Sequence, residues 1–153
     1  MQSVFSDGGI FVWNNWAPPK ANYLGWRAGL GRVADKVSLR KKGIFVFDMN
    51  CNRCGLAEES CNHIFARCIW ARSVWWNVFH WLKIPVLCDA NDVAEILKHV
   101  QTQVDSKKWK KVVHLVALGC IWRIWLARND KEYNGKMIPV HRLVETIKEE
   151  SFG

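Results

Sequence analysis

Apolar residues return every three or four positions along most of this chain, and polar and turn-forming residues cut that rhythm into segments. From Lys20, the positions Tyr23, Trp26, Leu30 and Val33 step at helical spacing, although Gly25, Gly29 and Gly31 weaken the helix. Asp35 is placed to cap a second short helix carrying Val37 and Leu39, with Gly43 at its stop. Together these two predict a basic helical hairpin. Ile44 to Phe47 is a short unbroken apolar run and predicts a strand. Helical spacing resumes from Ile69 through Val74, Trp75, Val78 and Leu82 until Pro85. Asp89, Asn91 and Asp92 offer caps for a helix whose stripe is Val93, Ile96, Leu97 and Val100. Ser106 begins a long helix running toward Tyr133 and stopped by Gly135, and a last helix follows Pro139 through Val140, Leu143, Val144 and Ile147. Before residue 20, the pairs Gly8-Gly9, Asn14-Asn15 and Pro18-Pro19 read as loop or short strand.

The expected class is therefore mainly α, in three parts. Residues 1–19 form a loop or short-strand segment, residues 20–84 a small domain holding the hairpin and a cysteine-rich stretch, and residues 85–153 a helical C-terminal region with the long helix and the last one. A chain of 153 residues that is 50% hydrophobic supports one ordinary core. Ten tryptophans sit inside apolar stretches, where burial is the ordinary role of so large a ring and base stacking the sharper alternative. The longest apolar run, Val112 to Trp122, is interrupted by His114 and falls short of the ~20 residues that cross a bilayer, so no membrane span is expected.

Charge adds a second layer to this picture. The net charge is +8, and residues 20–42 hold most of it: Lys20, Arg27, Arg32, Lys36, Arg40, Lys41 and Lys42 stand against Asp35 alone. Such a run is either a solvated helix face or the footprint of a polyanion.

The cysteines supply the chemistry. The opening MQSVFSDGG lacks the basic-then-apolar pattern of a secretion signal, which makes reduced thiols the expectation for all six. Within CNRCGLAEESCNHIFARC, Cys51 and Cys54 form a Cys-x2-Cys turn followed by Gly55, and His63 precedes Cys68 by five residues. Structural zinc takes four such ligands in a tetrahedron, with thiolate sulfur at ~2.3 Å and imidazole nitrogen at ~2.0 Å. Residues five apart on a continuous α-helix differ by about 140° in azimuth. Convergence of His63 and Cys68 therefore predicts a short helical turn from His63 to Ala66 and a break at Cys68. Cys61 is a rival third ligand, and a cluster of buried free thiols is the plain alternative to any metal. Cys88 and Cys120 fit that plain reading, and His80, His99, His114 and His141 are scattered.

The order of Trp26-Arg27, Lys41-Lys42-Gly43-Ile44, Cys51, Cys54-Gly55, Glu59, His63, Phe65, Cys68 and Trp75 resembles the zinc-binding domain that follows the polymerase domain in reverse transcriptases of plant non-LTR retrotransposons. The likeness runs over roughly residues 11 to 82. Farther on, Trp122, Trp125, Arg128 and Asn129 resemble a segment that often follows in the same plant proteins. The glycine-interrupted helix around Trp26 and the extra thiol Cys61 depart from that pattern.

This resemblance implies a small helical domain stapled by a zinc knuckle on Cys51, Cys54, His63 and Cys68. It also implies an RNA or DNA partner, contacted through Arg27, Arg32, Arg40, Lys41 and Lys42, together with nuclear residence and association with a separate polymerase chain. Exposed rings near the knuckle, Phe65 among them, would stack on unpaired bases. No paired-aspartate motif for two-metal phosphoryl transfer occurs, nor a P-loop, nor a Ser/His/Asp set, so no catalytic residue is assigned. Asp48, Asp89, Asp92, Asp105 and Asp130 are isolated and read as caps. The competing expectation is a structural or protein-interaction module whose tryptophans pack helices and whose basic residues are only a solvated surface.

Overall fold

A computed structural model describes residues 9–87 and 89–152 of the chain. Among the described residues there are six α-helices and one π-helical turn, and no strand. The helices are α1 (Pro19–Gly29), α2 (Lys36–Lys41), α3 (Ile69–Leu82), α4 (Val93–Gln101), α5 (Lys107–Asn134) and α6 (Val140–Phe152); the π-turn, His63–Arg67, lies between α2 and α3. The class is mainly α, as the periodicity predicts.

Local signals set most of the helix ends. The Asp35 carboxylate accepts the Ser38 N–H at 3.0 Å, Asp92 accepts that of Glu95 at 2.9 Å, and the Ser106 hydroxyl accepts that of Trp109 at 3.2 Å. Each bond satisfies one of the donors that a helix start leaves without an internal partner. At the other end of α5, Gly135 takes a left-handed φ of 70° and closes the helix as its C-terminal stop. Lys83, with φ 58°, ends α3 two residues before Pro85.

The long helix α5 is the axis on which the others pack: α1, α3, α4, α6 and the π-turn all touch it. Its 28 residues span about 42 Å at 1.5 Å per residue. Val113, Val116, Ala117, Leu118, Ile121 and Ile124 are all buried on it, too wide a spread for one amphipathic stripe. One apolar core runs from Phe11, through the π-turn and α3, to Leu143, Val144 and Ile147 of α6.

Two expectations change here. The predicted stripe of α1 is only partly the buried face: Trp26 and Leu30 are half-buried against the core, Tyr23 is exposed, and the fully buried positions are Ala21, Asn22, Gly25 and Ala28. Small residues let α1 approach α5 closely, and a Cβ built on Gly25 would lie 2.6 Å from Leu118 Cδ2. Asn22 is buried because its amide bonds the backbone of Asn14, Ala17 and Pro18, pinning the preceding loop to the helix.

The second change concerns residues 44–47, which form no strand. The nearest pairing is a single antiparallel bridge between Asn50 and Glu58, inside the cysteine loop. An apolar run lacking a neighbouring strand has no ladder to join. Cys88 lies outside the described residues; Cys120 is buried on α5, and burial pushes its thiol up from the ordinary range. Among the described residues no helix is long and apolar enough to cross a membrane.

Candidate metal centre

The centre begins with the Cys51–Cys54 turn. The Gly55 N–H donates to the Cys51 carbonyl at 2.9 Å, and Gly55 itself has φ 68°, a conformation open to glycine at little cost. The Cys51 N–H meets the Ala57 carbonyl at 2.8 Å, and the Glu59 N–H meets that of Met49 at 2.9 Å, so the loop closes on itself. Two amides point at sulfur: Arg53 N–H at Cys51 Sγ and Leu56 N–H at Cys54 Sγ, each 3.4 Å. For Cys51 the backbone donor favours a thiolate over a thiol.

The second pair is delivered by the π-turn. The Ser60 hydroxyl accepts the His63 N–H at 3.0 Å and starts the turn; the Cys68 N–H donates to the His63 carbonyl at 2.9 Å, five residues back, and closes it. Cys68 then leaves the helix, with φ −62° and ψ 133°, before α3 starts at Ile69. The expected break at Cys68 is there. The means differs from the expected truncated α-turn: the wider i→i+5 turn carries residues five apart back toward one side.

These elements bring together one donor atom each from Cys51, Cys54, His63 and Cys68, all within 4.8 Å of one another. Cys51 Sγ and Cys68 Sγ are 3.8 Å apart, and Cys54 Sγ lies 3.3 Å from His63 Nε2. A tetrahedron with arms of ~2.3 Å to sulfur and ~2.0 Å to nitrogen has edges of about 3.8 Å between sulfurs and about 3.5 Å from sulfur to nitrogen. The donor set and its spacing thus fit zinc. Cys51, His63 and Cys68 are buried and Cys54 half-buried, and four protein ligands leave no open position for a substrate.

The hydrogen bond between the Cys51 and Cys68 sulfurs holds Cys51 well below the ordinary thiol range, against burial and with help from the Arg53 guanidinium. The same bond, together with burial, moves Cys68 upward. Cys61 stands apart from the four. Its thiol faces the Ala28 carbonyl at 3.5 Å, and burial, with the charges of Asp35 and Asp92, pushes it up to about 12.

The spacing gives no hint of the charged network behind the cluster. Glu59 is fully buried, and Arg128 of α5 donates to it from Nε and Nη2, the shortest contact being 2.6 Å. Arg53 Nη2 donates to the same carboxylate at 3.3 Å, as does the backbone N–H of Lys36. Burial opposes the Arg128 charge, but the hydrogen bonds and charge of Glu59 outweigh it and raise its pKa. One carboxylate therefore ties the cysteine loop to the start of α2 and to α5. Lys36 is also removed from the basic surface: its ammonium is buried, bonded to the Asn50 carbonyl at 2.9 Å and paired with Glu132 at 3.3 Å.

The motif aromatics have structural places. Phe65 is fully buried and stacks on Trp125 at 6.2 Å, so it cannot stack on a base. Trp75 Nε1 donates to the Phe65 carbonyl at 2.8 Å, fixing the π-turn against α3. The five basic residues Arg27, Arg32, Arg40, Lys41 and Lys42 are all exposed. Arg40 makes a two-pronged pair with Glu58, at 2.9 and 3.1 Å, which fastens α2 to the cysteine loop; no ion pair among the described residues uses the other four.

A family model described as zinc-binding in reverse transcriptase matches residues 6–75. That span takes in α1, α2, the four clustered residues and the first half of α3. No curated protein and no solved structure gives a significant match to the chain.

Proposed function

We propose that this chain is the zinc-binding accessory module of a reverse transcriptase of the plant non-LTR retrotransposon type, without polymerase chemistry of its own. The observation that carries the reading is the Cys51, Cys54, His63, Cys68 cluster, lying inside the segment matched by the family model. When bound, zinc supplies folding energy to a loop with few core residues, on the order of 10 kcal/mol in knuckle-sized peptides. The residues do the rest. The cluster and the Glu59 network fix the cysteine loop against α2 and α5, which positions Lys41 and Lys42 at the end of α2, with Arg40 partly committed to Glu58 and the exposed Arg27 and Arg32 adding further positive charge.

On this reading the partner is the phosphate backbone of RNA or DNA, bound with affinity and little sequence choice. A separate polymerase chain and nuclear residence belong to the same proposal. The test is binding of a mixed-sequence RNA and a mixed-sequence DNA at two salt concentrations, with Arg27, Arg32, Lys41 and Lys42 reversed in charge singly and together. Affinity should fall with salt, and the slope should flatten by about one for each phosphate contact removed. Absent binding, or binding indifferent to salt, would leave the module structural; the Arg40–Glu58 pair is the feature that favours that second reading.

A further inference from the structure

Resting on the nucleic-acid reading above, we infer that Phe45 and Phe47 form a stacking platform for unpaired bases, so that the module's partner is single-stranded RNA or DNA. Phe45 is 86% exposed and Phe47 94%, while Val46 between them is half-buried. The chain therefore exposes both rings on either side of a half-buried residue. Core filling does not account for them, since the apolar core runs from Phe11 to Ile147 without either ring. Large apolar rings standing together in water mark an interaction surface more often than an accident of packing.

The loop that carries them is held at both ends. On one side the Ile44 N–H donates to the Leu39 carbonyl at 3.0 Å and the Gly43 N–H to that of Arg40 at 2.9 Å, with Gly43 at φ 81°. On the other, the Asp48 carboxylate accepts the Asn50 N–H at 3.0 Å, and Met49 and Cys51 enter the backbone bonds of the cysteine loop. The rings are thus presented on a short span between α2 and the candidate metal centre. Binding them costs less ordering than binding rings on a free tail would.

The neighbours decide what the rings face. Lys41 and Lys42 immediately precede the loop, exposed and in no ion pair among the described residues, while Arg40 beside them is paired with Glu58, and Asp48 is the one acidic residue from 40 to 49. Lysine is depleted from the cores of protein interfaces, which makes a protein partner the poorer fit for aromatic rings in this setting. Cations beside exposed aromatics are the combination that binds single strands: the cations track phosphates, and each ring takes the face of one unpaired base. A duplex hides those faces inside its stack, which gives the surface its selectivity.

The test compares a fluorescently labelled mixed-sequence single strand, as RNA and as DNA, with the duplex of the same sequence. Wild type, Phe45→Ala/Phe47→Ala, Phe45→Trp/Phe47→Trp and Lys41→Glu/Lys42→Glu are measured across a salt series. The double alanine variant should bind the single strand about tenfold more weakly per ring lost, with the salt slope and the duplex affinity unchanged. The double tryptophan variant should bind as well as wild type or better. Both substitutions lie at exposed sites, so an unchanged unfolding midpoint shows that the fold is intact. Equal losses on single strand and duplex, or no loss on either, overturn the stacking inference while salt-dependent binding keeps the backbone reading. Wild type that binds neither form overturns both. Self-association in sedimentation that disappears in the double alanine variant, with nucleic-acid affinity intact, would assign the rings to a protein interface and overturn the inference as well.

Discussion

Removing the charge of Glu59 should cost this protein more stability than any exposed substitution. The Glu59→Gln variant keeps the shape of the side chain but replaces one carboxylate oxygen with an amide that points donors at donors. The contacts at stake are those from Arg128 Nε and Nη2, from Arg53 Nη2 and from the Lys36 backbone. Arg53 and Arg128 have side chains only 1% and 3% exposed, so neither guanidinium can fall back on water. Breaking a buried pair by removing one partner costs about 3–5 kcal/mol, because the charge left behind stays buried. Set against a total stability of roughly 5–15 kcal/mol, that is a large fraction.

Equilibrium urea unfolding at fixed zinc concentration measures it, and with a slope near 2 kcal/mol per molar the midpoint should fall by roughly 2 M. A double-mutant cycle with Arg128→Met separates the pair from its surroundings, and a coupling well above 1 kcal/mol is expected. Losses under about 1 kcal/mol with no coupling would refute the reasoning, since they would mean that water or another group takes over the carboxylate's role.

Two further predictions follow from buried positions elsewhere. The Asn14 amide donates to the Lys111 carbonyl and to His114 Nδ1, which fixes His114 as a neutral ring, and burial lowers its pKa to about 4. The unfolded chain takes up this proton near 6.5, so the stabilisation is complete above that pH and is lost as pH falls toward 4. Wild type should lose up to about 3 kcal/mol more than His114→Gln over that window; equal losses would show that the ring is not held neutral. Gly25→Ala should gain about 1 kcal/mol of helix propensity and lose more than that to the buried Leu118 side chain beside it, lowering the urea midpoint. A raised midpoint would show that α1 and α5 can separate without penalty.

Features decided within a few residues were legible in the sequence. The Asp35, Asp92 and Ser106 caps and the Gly135 stop bond to backbone three or four residues away, and α3 and α6 follow their apolar stripes. Features that depend on distant partners were not. Gly25, which weakens α1 locally, is what admits α5, and no periodicity rule records a contact made across nearly 100 residues. Residues 44–47 have the composition of a strand, but among the described residues there is no second strand to pair with them. At the candidate site, spacing alone demanded a break before Cys68, and the chain meets that demand with a π-turn that no propensity scale signals. Glu59 and Arg128 were visible only as residues of the resemblance, with no pairing between them, because burial of an ion is learned only from the partner that permits it. Phe65 misled in the opposite sense, since Trp125 reaches it from another helix.

The central claim is that Cys51, Cys54, His63 and Cys68 together hold one zinc ion, and metal stoichiometry tests it most directly. Elemental analysis of protein purified without added metal should give one zinc per chain in wild type and in Cys61→Ala. The value should fall well below one in Cys54→Ser and in His63→Ala, and the cobalt-substituted protein should show the absorption of a three-sulfur, one-nitrogen tetrahedral site. Zinc far below one per chain in wild type, or a value that Cys54→Ser leaves unchanged and Cys61→Ala abolishes, would contradict it.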